Sequence, residues 1–244
     1  GNVVLPEEVS DKYGIDAARL FLVSIASPDK DIQWSENGIE GSLRFVNKVM
    51  DYFSKMKFGK ADERVESKLN KTIKEVSDDI ENFRYNLAVI KIRSLFDKVS
   101  DREISKKEAG IFLKLLHPFC PHITEELWAK FGNKNFISTE KWPEADESKI
   151  NLEFEKEEEI IEKVISDVNN VVKIIKDKGK SANKLYLYSI PSEKEIYINN
   201  LNEIEKRVGL KTHIFSVNDK NKHDPEKKSS KAKPGKPGIY LGNS

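Results

Sequence analysis

The chain has 244 residues, 34% of them charged and 38% apolar, with a formal net charge of +1. That length supports one or two domains with a substantial core, and so small a net charge excludes nucleic-acid binding driven by bulk positive charge: basic residues would have to gather on one face. A lone cysteine, Cys120, excludes an internal disulfide framework and fits a reducing compartment.

No apolar run approaches the roughly 20 residues of a membrane span, and no charged segment followed by an apolar core opens the chain. The expectation is a soluble, cytoplasmic protein without a membrane partner.

Gly1-Asn2 reads as the end of a turn. Pro6-Glu7-Glu8 suits a first helical turn, and Gly14 breaks that short helix. The next, from Ile15 to Ile25, offers mostly apolar surface and is expected to be deeply buried. A polar loop, 31–36, follows with Trp34 as its only aromatic and Ser35 as a candidate N-cap. Ile39, Leu43, Val46, Val49 and Phe53 then mark a helix from Glu36 to about Phe58, with Gly59 read as its C′ residue. Helical stripes recur over about 62–82 and 84–100, and Ser105 with Glu108 forms a capping-box pattern for the next helix. Another begins at His122 and ends at Phe131-Gly132. Short connections between such helices describe an antiparallel bundle.

Residues 133–151 have no periodicity and read as a loop packed over the bundle. One long helix is expected from Phe154 to Gly179. The period then changes: Lys184–Ile190 and Thr212–Val217 are strands by composition, and Ser192–Val208 between them is helical, ending at Gly209. A small α/β module follows from this order. Between Lys220 and Lys236 seven lysines face Asp224 and Glu226, an excess of five positive charges. This run is expected to be mobile or extended, with Ile239-Tyr240-Leu241 as an apolar anchor.

Two clusters admit more than one reading. His117, Cys120 and His122 lie within six residues, but zinc needs three or four ligands in tetrahedral array and no second pair supports it; Pro118 and Pro121 favour an inter-helix corner. Trp34 is either a lid packed on the bundle or a base-stacking platform. Arg44, Lys48 and Lys55 share a face of one helix, and Arg84, Lys91 and Arg93 sit on a neighbour; these cations are either solvated surface or a phosphate-binding stripe.

The order Gly1-Asn2, Pro6, Glu8, Tyr13-Gly14, Asp16, Arg19, Phe21, followed by Asp31, Trp34-Ser35-Glu36 and Gly38-Ile39-Glu40-Gly41, resembles class I aminoacyl-tRNA synthetases just after their KMSKS signature, the leucyl members most closely. Leu116–Trp128 (LHPFCPHITEELW) resembles a recurring corner in the helical bundle of the leucyl, isoleucyl and valyl members. Lys184-Leu-Tyr-Leu-Tyr and the ending Ala232-Lys-Pro-Gly-Lys-Pro-Gly-Ile-Tyr resemble the archaeal and eukaryotic-like leucyl type.

The resemblance implies a mainly α chain. Residues 1–35 would be the end of the catalytic core and stem-contact region, 36–150 the antiparallel tRNA-binding bundle, 151–217 a small α/β module and 218–244 a basic Pro/Gly-containing tail. Gly1 and Asn2 would adjoin the KMSKS lysines, which lie outside the chain together with the nucleotide-binding half. No catalytic, cofactor-binding or metal-ligating residue is therefore assigned. ATP and Mg are implied for the full enzyme and neither for this chain alone. The implied partners are tRNA-Leu and the catalytic portion, in cis or as a separate subunit. The tRNA-binding candidates are Arg44, Lys48, Arg84, Lys91, Lys231, Lys233, Lys236, Ile239 and Tyr240, the last two packing on exposed bases. Competing readings are the same region of an isoleucyl, valyl or methionyl enzyme, or a stand-alone helical adaptor for tRNA or protein.

Overall fold

The computed structural model describes residues 4–28, 30–31, 33–60, 62–100, 102–179 and 181–243. Gly1 and Asn2, the residues expected to adjoin a nucleotide-binding signature, lie outside them. The chain divides into two compact units, Gly1–Asn151 and Leu152–Ser244.

The first unit is all helical. Pro6 starts α1 (Pro6–Tyr13), where its missing N–H costs nothing. Gly14, at φ 81°, turns the chain directly into α2 (Ile15–Ile25), a backbone conformation that favours glycine. Ser35 caps α3 (Glu36–Lys55), its hydroxyl accepting the Gly38 N–H at 3.2 Å. Gly38 has a second role: a Cβ there would lie 2.5 Å from Cε2 of Phe21, so the bare backbone lets α3 close onto that ring.

Asp62 caps α4 (Glu63–Glu81) by accepting from the N–H groups of Arg64 and Val65. After α5 (Tyr85–Ser100) comes α6 (Lys106–Leu116), whose capping box is complete: the Glu108 N–H donates to Ser105 Oγ and the Ser105 N–H to Glu108 Oε2. α7 (Pro121–Lys130) closes the bundle. Residues 133–151 fold back over it with two short 3-10 turns, Ile137–Thr139 and Glu147–Lys149. The Trp142 indole N–H on Ser77 (2.8 Å) and the Asn151 N–H on Ser67 (2.8 Å) tie this segment to α4.

Several expectations are corrected. α3 stops at Lys55, well short of Gly59; Gly59 is instead the place where the chain passes the Glu103 side chain, which a Cβ would meet at 2.8 Å. α2 buries Ala17, Ala18, Leu20 and Phe21 but exposes Ile15, Leu22 and Ile25, because it lies against α3 and α5 on one side only. The boundary expected at Ser35 has no counterpart in the packing: Val9, Tyr13, Leu20 and Phe21 belong to the same core as Val49, Leu95, Phe112 and Leu127.

Two polar devices hold this unit together. The carboxylate of Asp79 is 1% exposed and accepts from Arg84 Nε at 2.9 Å and Lys91 Nζ at 2.6 Å, bracing the turn between α4 and α5 where Phe83 takes φ 57°. At the Leu116–Trp128 corner, Cys120 offers α7 no side-chain cap, and Asp16 of α2 supplies it. Its two oxygens accept the His122 N–H at 3.4 Å and the Ile123 N–H at 2.8 Å, and Oδ1 also meets His122 Nδ1 at 2.8 Å. His117 Nδ1 lies 2.7 Å from Thr124 Oγ1. Burial holds the His117 imidazole below its ordinary value of 6.5 and pushes the Cys120 thiol up.

The second unit is a two-layer α/β module. α8 (Leu152–Asp177) presents Ile161, Val164, Ile165 and Val168 to the sheet. β1 (Lys184–Ser189) is central: β2 (Lys211–Ser216) pairs with it in parallel and β3 (Gly238–Gly242) antiparallel, giving the order β2-β1-β3. The β1-to-β2 crossover, expected as one helix, is broken at Asn200 into α9 (Lys194–Asn199) and α10 (Leu201–Val208), the Asn200 amide donating back to the Ile196 carbonyl at 2.8 Å. The boundary expected at 217/218 likewise disappears. Residues 238–242 complete the sheet, with Ile239 and Leu241 packed against the core of Leu185, Leu187, Val164 and Ile204.

Two outcomes follow for stability. Removing one partner of a fully buried ion pair costs about 3–5 kcal/mol. Arg84 and Lys91 are 42% and 30% exposed and regain water, so Asp79→Ala is expected to cost about 2 kcal/mol in urea unfolding; a loss within the roughly 0.5 kcal/mol of an ordinary surface substitution would contradict the bracing role. His117 binds a proton less readily folded than unfolded, so stability is full above pH 6.5 and falls as pH drops through that value. The urea midpoint is therefore expected to decline from pH 7.5 to 5.5, and His117→Asn, which keeps a donor near Thr124, to decline less. Equal declines would remove His117 as the cause.

Candidate nucleic-acid interface

The cations of α3 stay at the surface. Arg44 lies 3.6 Å from Glu40, Lys55 lies 3.4 Å from Asp51, and Lys48 is exposed between them on the same face. Those of α5 do not extend this row. Arg84 and Lys91 turn onto Asp79, while Arg93 lies 4.8 Å from the Phe45 ring centre with Nη2 on Ser42 Oγ at 3.3 Å. The two-helix stripe read from spacing is thus not assembled, because a buried carboxylate and an aromatic face compete for the α5 cations. Trp34 is packed: its ring meets Phe21 edge-on at 5.2 Å and its N–H donates to Glu36 at 3.2 Å.

The lysine-rich segment of the second unit has definite structure. Asp224 accepts the N–H groups of Lys228 and Ser229 at 2.7 and 3.0 Å, starting a 3-10 turn at Lys228–Lys231. Burial alone would raise the Asp224 pKa, but these hydrogen bonds hold it below the ordinary carboxylate value. The turn rests on β3 at Gly238, where a Cβ would stand 2.2 Å from the Lys228 carbonyl oxygen. Lys233 and Lys236 exchange backbone hydrogen bonds of 2.8 and 2.9 Å around Pro234-Gly235, with Gly235 at φ 68° and its N–H donating to Glu193. Lys231, Lys233 and Lys236 are all exposed. The expectation of a mobile or extended run is corrected: short local hydrogen bonds replace the missing apolar content.

Ile239 and Tyr240 separate. The strand period of two sends Ile239 into the core, so it is withdrawn as a base-packing residue, while Tyr240 stands on the opposite face. That face carries residues absent from the sequence-derived candidates. Tyr186 is the register partner of both His213 and Tyr240. Its ring stacks on His213 at 5.1 Å and 19°, meets Tyr240 at 5.6 Å, and lies 4.9 Å from His223. Phe215 and the buried Tyr188 continue the layer. Alternation in Lys-Leu-Tyr-Leu-Tyr and Thr-His-Ile-Phe signals these rings strand by strand, but only the parallel pairing brings the two sets together.

Elsewhere, a hollow of about 620 Å³ beside α7 is lined by His117, His122, Glu125, Glu126, Lys134 and Phe136 among others, a surround of mixed charge. Among the described residues no group of three or more His, Cys, Asp or Glu side chains is placed to hold a metal ion.

A model of the anticodon-binding domain of tRNA ligase matches residues 62–187. Leucine–tRNA ligase of Petrotoga mobilis is 35% identical over 179 residues, 63% of this chain and 22% of that protein. The Rickettsia bellii enzyme is 38% identical over 165 residues (62% and 20%), and that of Fusobacterium nucleatum 34% over 206 (74% and 24%). The chain therefore spans about a fifth to a quarter of the length of these relatives. In fold it is similar to the LeuRS of Agrobacterium radiobacter K84 solved as a ternary complex with tRNA and LeuAMS, with a TM-score of 0.53 at 20% identity over 86% of this chain and 28% of that one. Matched over more than half of its length, the chain belongs to the anticodon-binding domain family of tRNA ligases.

Proposed function

We propose that this chain is the C-terminal, tRNA-binding part of a leucine–tRNA ligase, serving ATP-dependent attachment of leucine to tRNA-Leu in the cytoplasm. The observation that carries the reading is the family match over 62–187 combined with leucine-specific relatives at 34–38% identity. The relatives are four to five times longer than the matched stretch, which supports a catalytic portion elsewhere, in cis or as a separate subunit. Ile15, Leu22 and Ile25, exposed on α2, offer an apolar surface on which such a portion would pack.

The sequence holds no Gly-rich phosphate loop and no KMSKS lysines, so the residues present do not fit ATP or Mg and no chemical step is assigned to them. No helix among the described residues is long and apolar enough to cross a membrane. The work left to this chain is to hold tRNA. Arg44 and Lys48 on the bundle, Lys231 at the end of the 3-10 turn, and Lys233 and Lys236 on either side of Pro234-Gly235 are cations able to meet phosphates; Arg84 and Lys91 act by bracing the helix turn behind them.

Filter binding of a tRNA-Leu transcript at several salt concentrations tests this. Affinity is expected to fall with salt along a negative log–log slope, and Lys231→Gln/Lys233→Gln/Lys236→Gln to flatten that slope by roughly one unit for each phosphate that the altered side chains no longer neutralise. A salt-independent or absent interaction would instead favour a protein-binding adaptor. Leucine-dependent ATP–pyrophosphate exchange by the chain alone would refute the separation of binding from catalysis.

A further inference from the structure

We propose that the outer face of the β2-β1-β3 sheet is a stacking site for an unpaired RNA base, centred on Tyr186 with His213 and Tyr240 beside it. The proposal rests on the tRNA-binding reading and names the contact that the second unit makes.

A sheet with helices on one face ordinarily turns polar residues to the other. Here the row Tyr186, His213, Tyr240 is aromatic and partly exposed across all three strands, with His213 Nε2 buried and the His223 ring of the lysine segment 4.9 Å from Tyr186 and 5.9 Å from Tyr240. These rings take no part in the core, which Leu185, Leu187, Ile239 and Leu241 fill from the opposite face. Their ends differ. At one end the lysine segment closes over the sheet, burying Tyr188, whose hydroxyl donates to the His223 carbonyl, and seating the Lys228 backbone on Gly238. At the other end the next register row is Lys184, Lys211 and Gly242. Gly242 leaves room for the Tyr240 ring, which a Cβ there would meet at 3.1 Å.

The row thus opens toward two lysines, Lys184 and Lys211. A planar base can extend the Tyr186–His213 stack while its phosphates reach Lys184 and the exposed Lys211. Aromatic faces accept any base, so the site selects unpaired nucleotides rather than a base identity. A lipid surface would meet the same lysines but gain nothing from parallel rings.

The test uses the whole chain, a tRNA-Leu transcript and the variants Tyr186→Leu and Tyr240→Leu, which keep apolar bulk but remove the π face. Each is expected to weaken binding roughly tenfold, within the range of one base–aromatic stack, with an unchanged salt slope and an unchanged thermal melt. Parent-like affinity in both variants, with the lysine variants still weakened, would overturn stacking while leaving tRNA binding intact. No binding by the parent at low salt would overturn both. Should Tyr186→Leu unfold the module, ring-labelled tyrosine in the parent decides: upfield shifts of Tyr186 and Tyr240 on adding tRNA support the site, and unmoved ring signals reject it.

Discussion

Asp16 and Arg19 reach from α2 to the corner that joins α6 to α7. Asp16 is 4% exposed and supplies the cap that Cys120 cannot, holding two N–H groups at the start of α7 and the His122 ring. Arg19 donates to the Pro118 carbonyl at 3.1 Å. A buried carboxylate at a helix N-terminus satisfies orphan donors and meets the positive end of the macrodipole at once, so displacing either element would strand a charge. The opening stretch and the corner are therefore one structural device, and the bundle hangs on their contact.

Competition for charge explains the rest of the surface. In a chain with a net charge of +1, a cation is available to a ligand only where no buried acid has claimed it. Asp79 claims Arg84 and Lys91, and Phe45 claims Arg93. In the lysine-rich segment Asp224 is occupied by two backbone N–H groups and Glu226 pairs with Lys228 at 3.1 Å, while Glu193 from outside the segment takes the N–H of Gly235; Lys231, Lys233 and Lys236 stay exposed. Its lysines are left outward on a scaffold with little freedom to lose on binding. A preordered cationic segment would bind phosphate with a smaller entropic penalty than the mobile tail its composition implied.

Much was legible in the residues alone, for local reasons. The helices of the bundle follow from 3.6-residue stripes, the Ser35 cap and the Ser105–Glu108 box from side chains within three residues of their targets, and β1 and β2 from alternating β-formers. The family resemblance carried by Tyr13–Phe21 and Trp34–Gly41 was likewise readable, because those residues answer close approaches such as Gly38 against Phe21.

What needed the tertiary structure were partners distant in sequence. β3 has a weak intrinsic signal, with Gly238 and Gly242 at its ends, and becomes a strand because the edge of β1 is free to pair with it. That pairing sends Ile239 inward and Tyr240 outward, and the parallel pairing of β1 with β2 sets His213 against Tyr186. The fate of Arg84 and Lys91 likewise depended on the depth at which Asp79 is buried. Sequence determined the helices of the bundle, β1 and β2, and the family they belong to, because those depend on neighbours along the chain. Which cations and rings remain free at the surface was decided by long-range burial, since a side chain is available only when nothing folded against it has already taken its charge or its face.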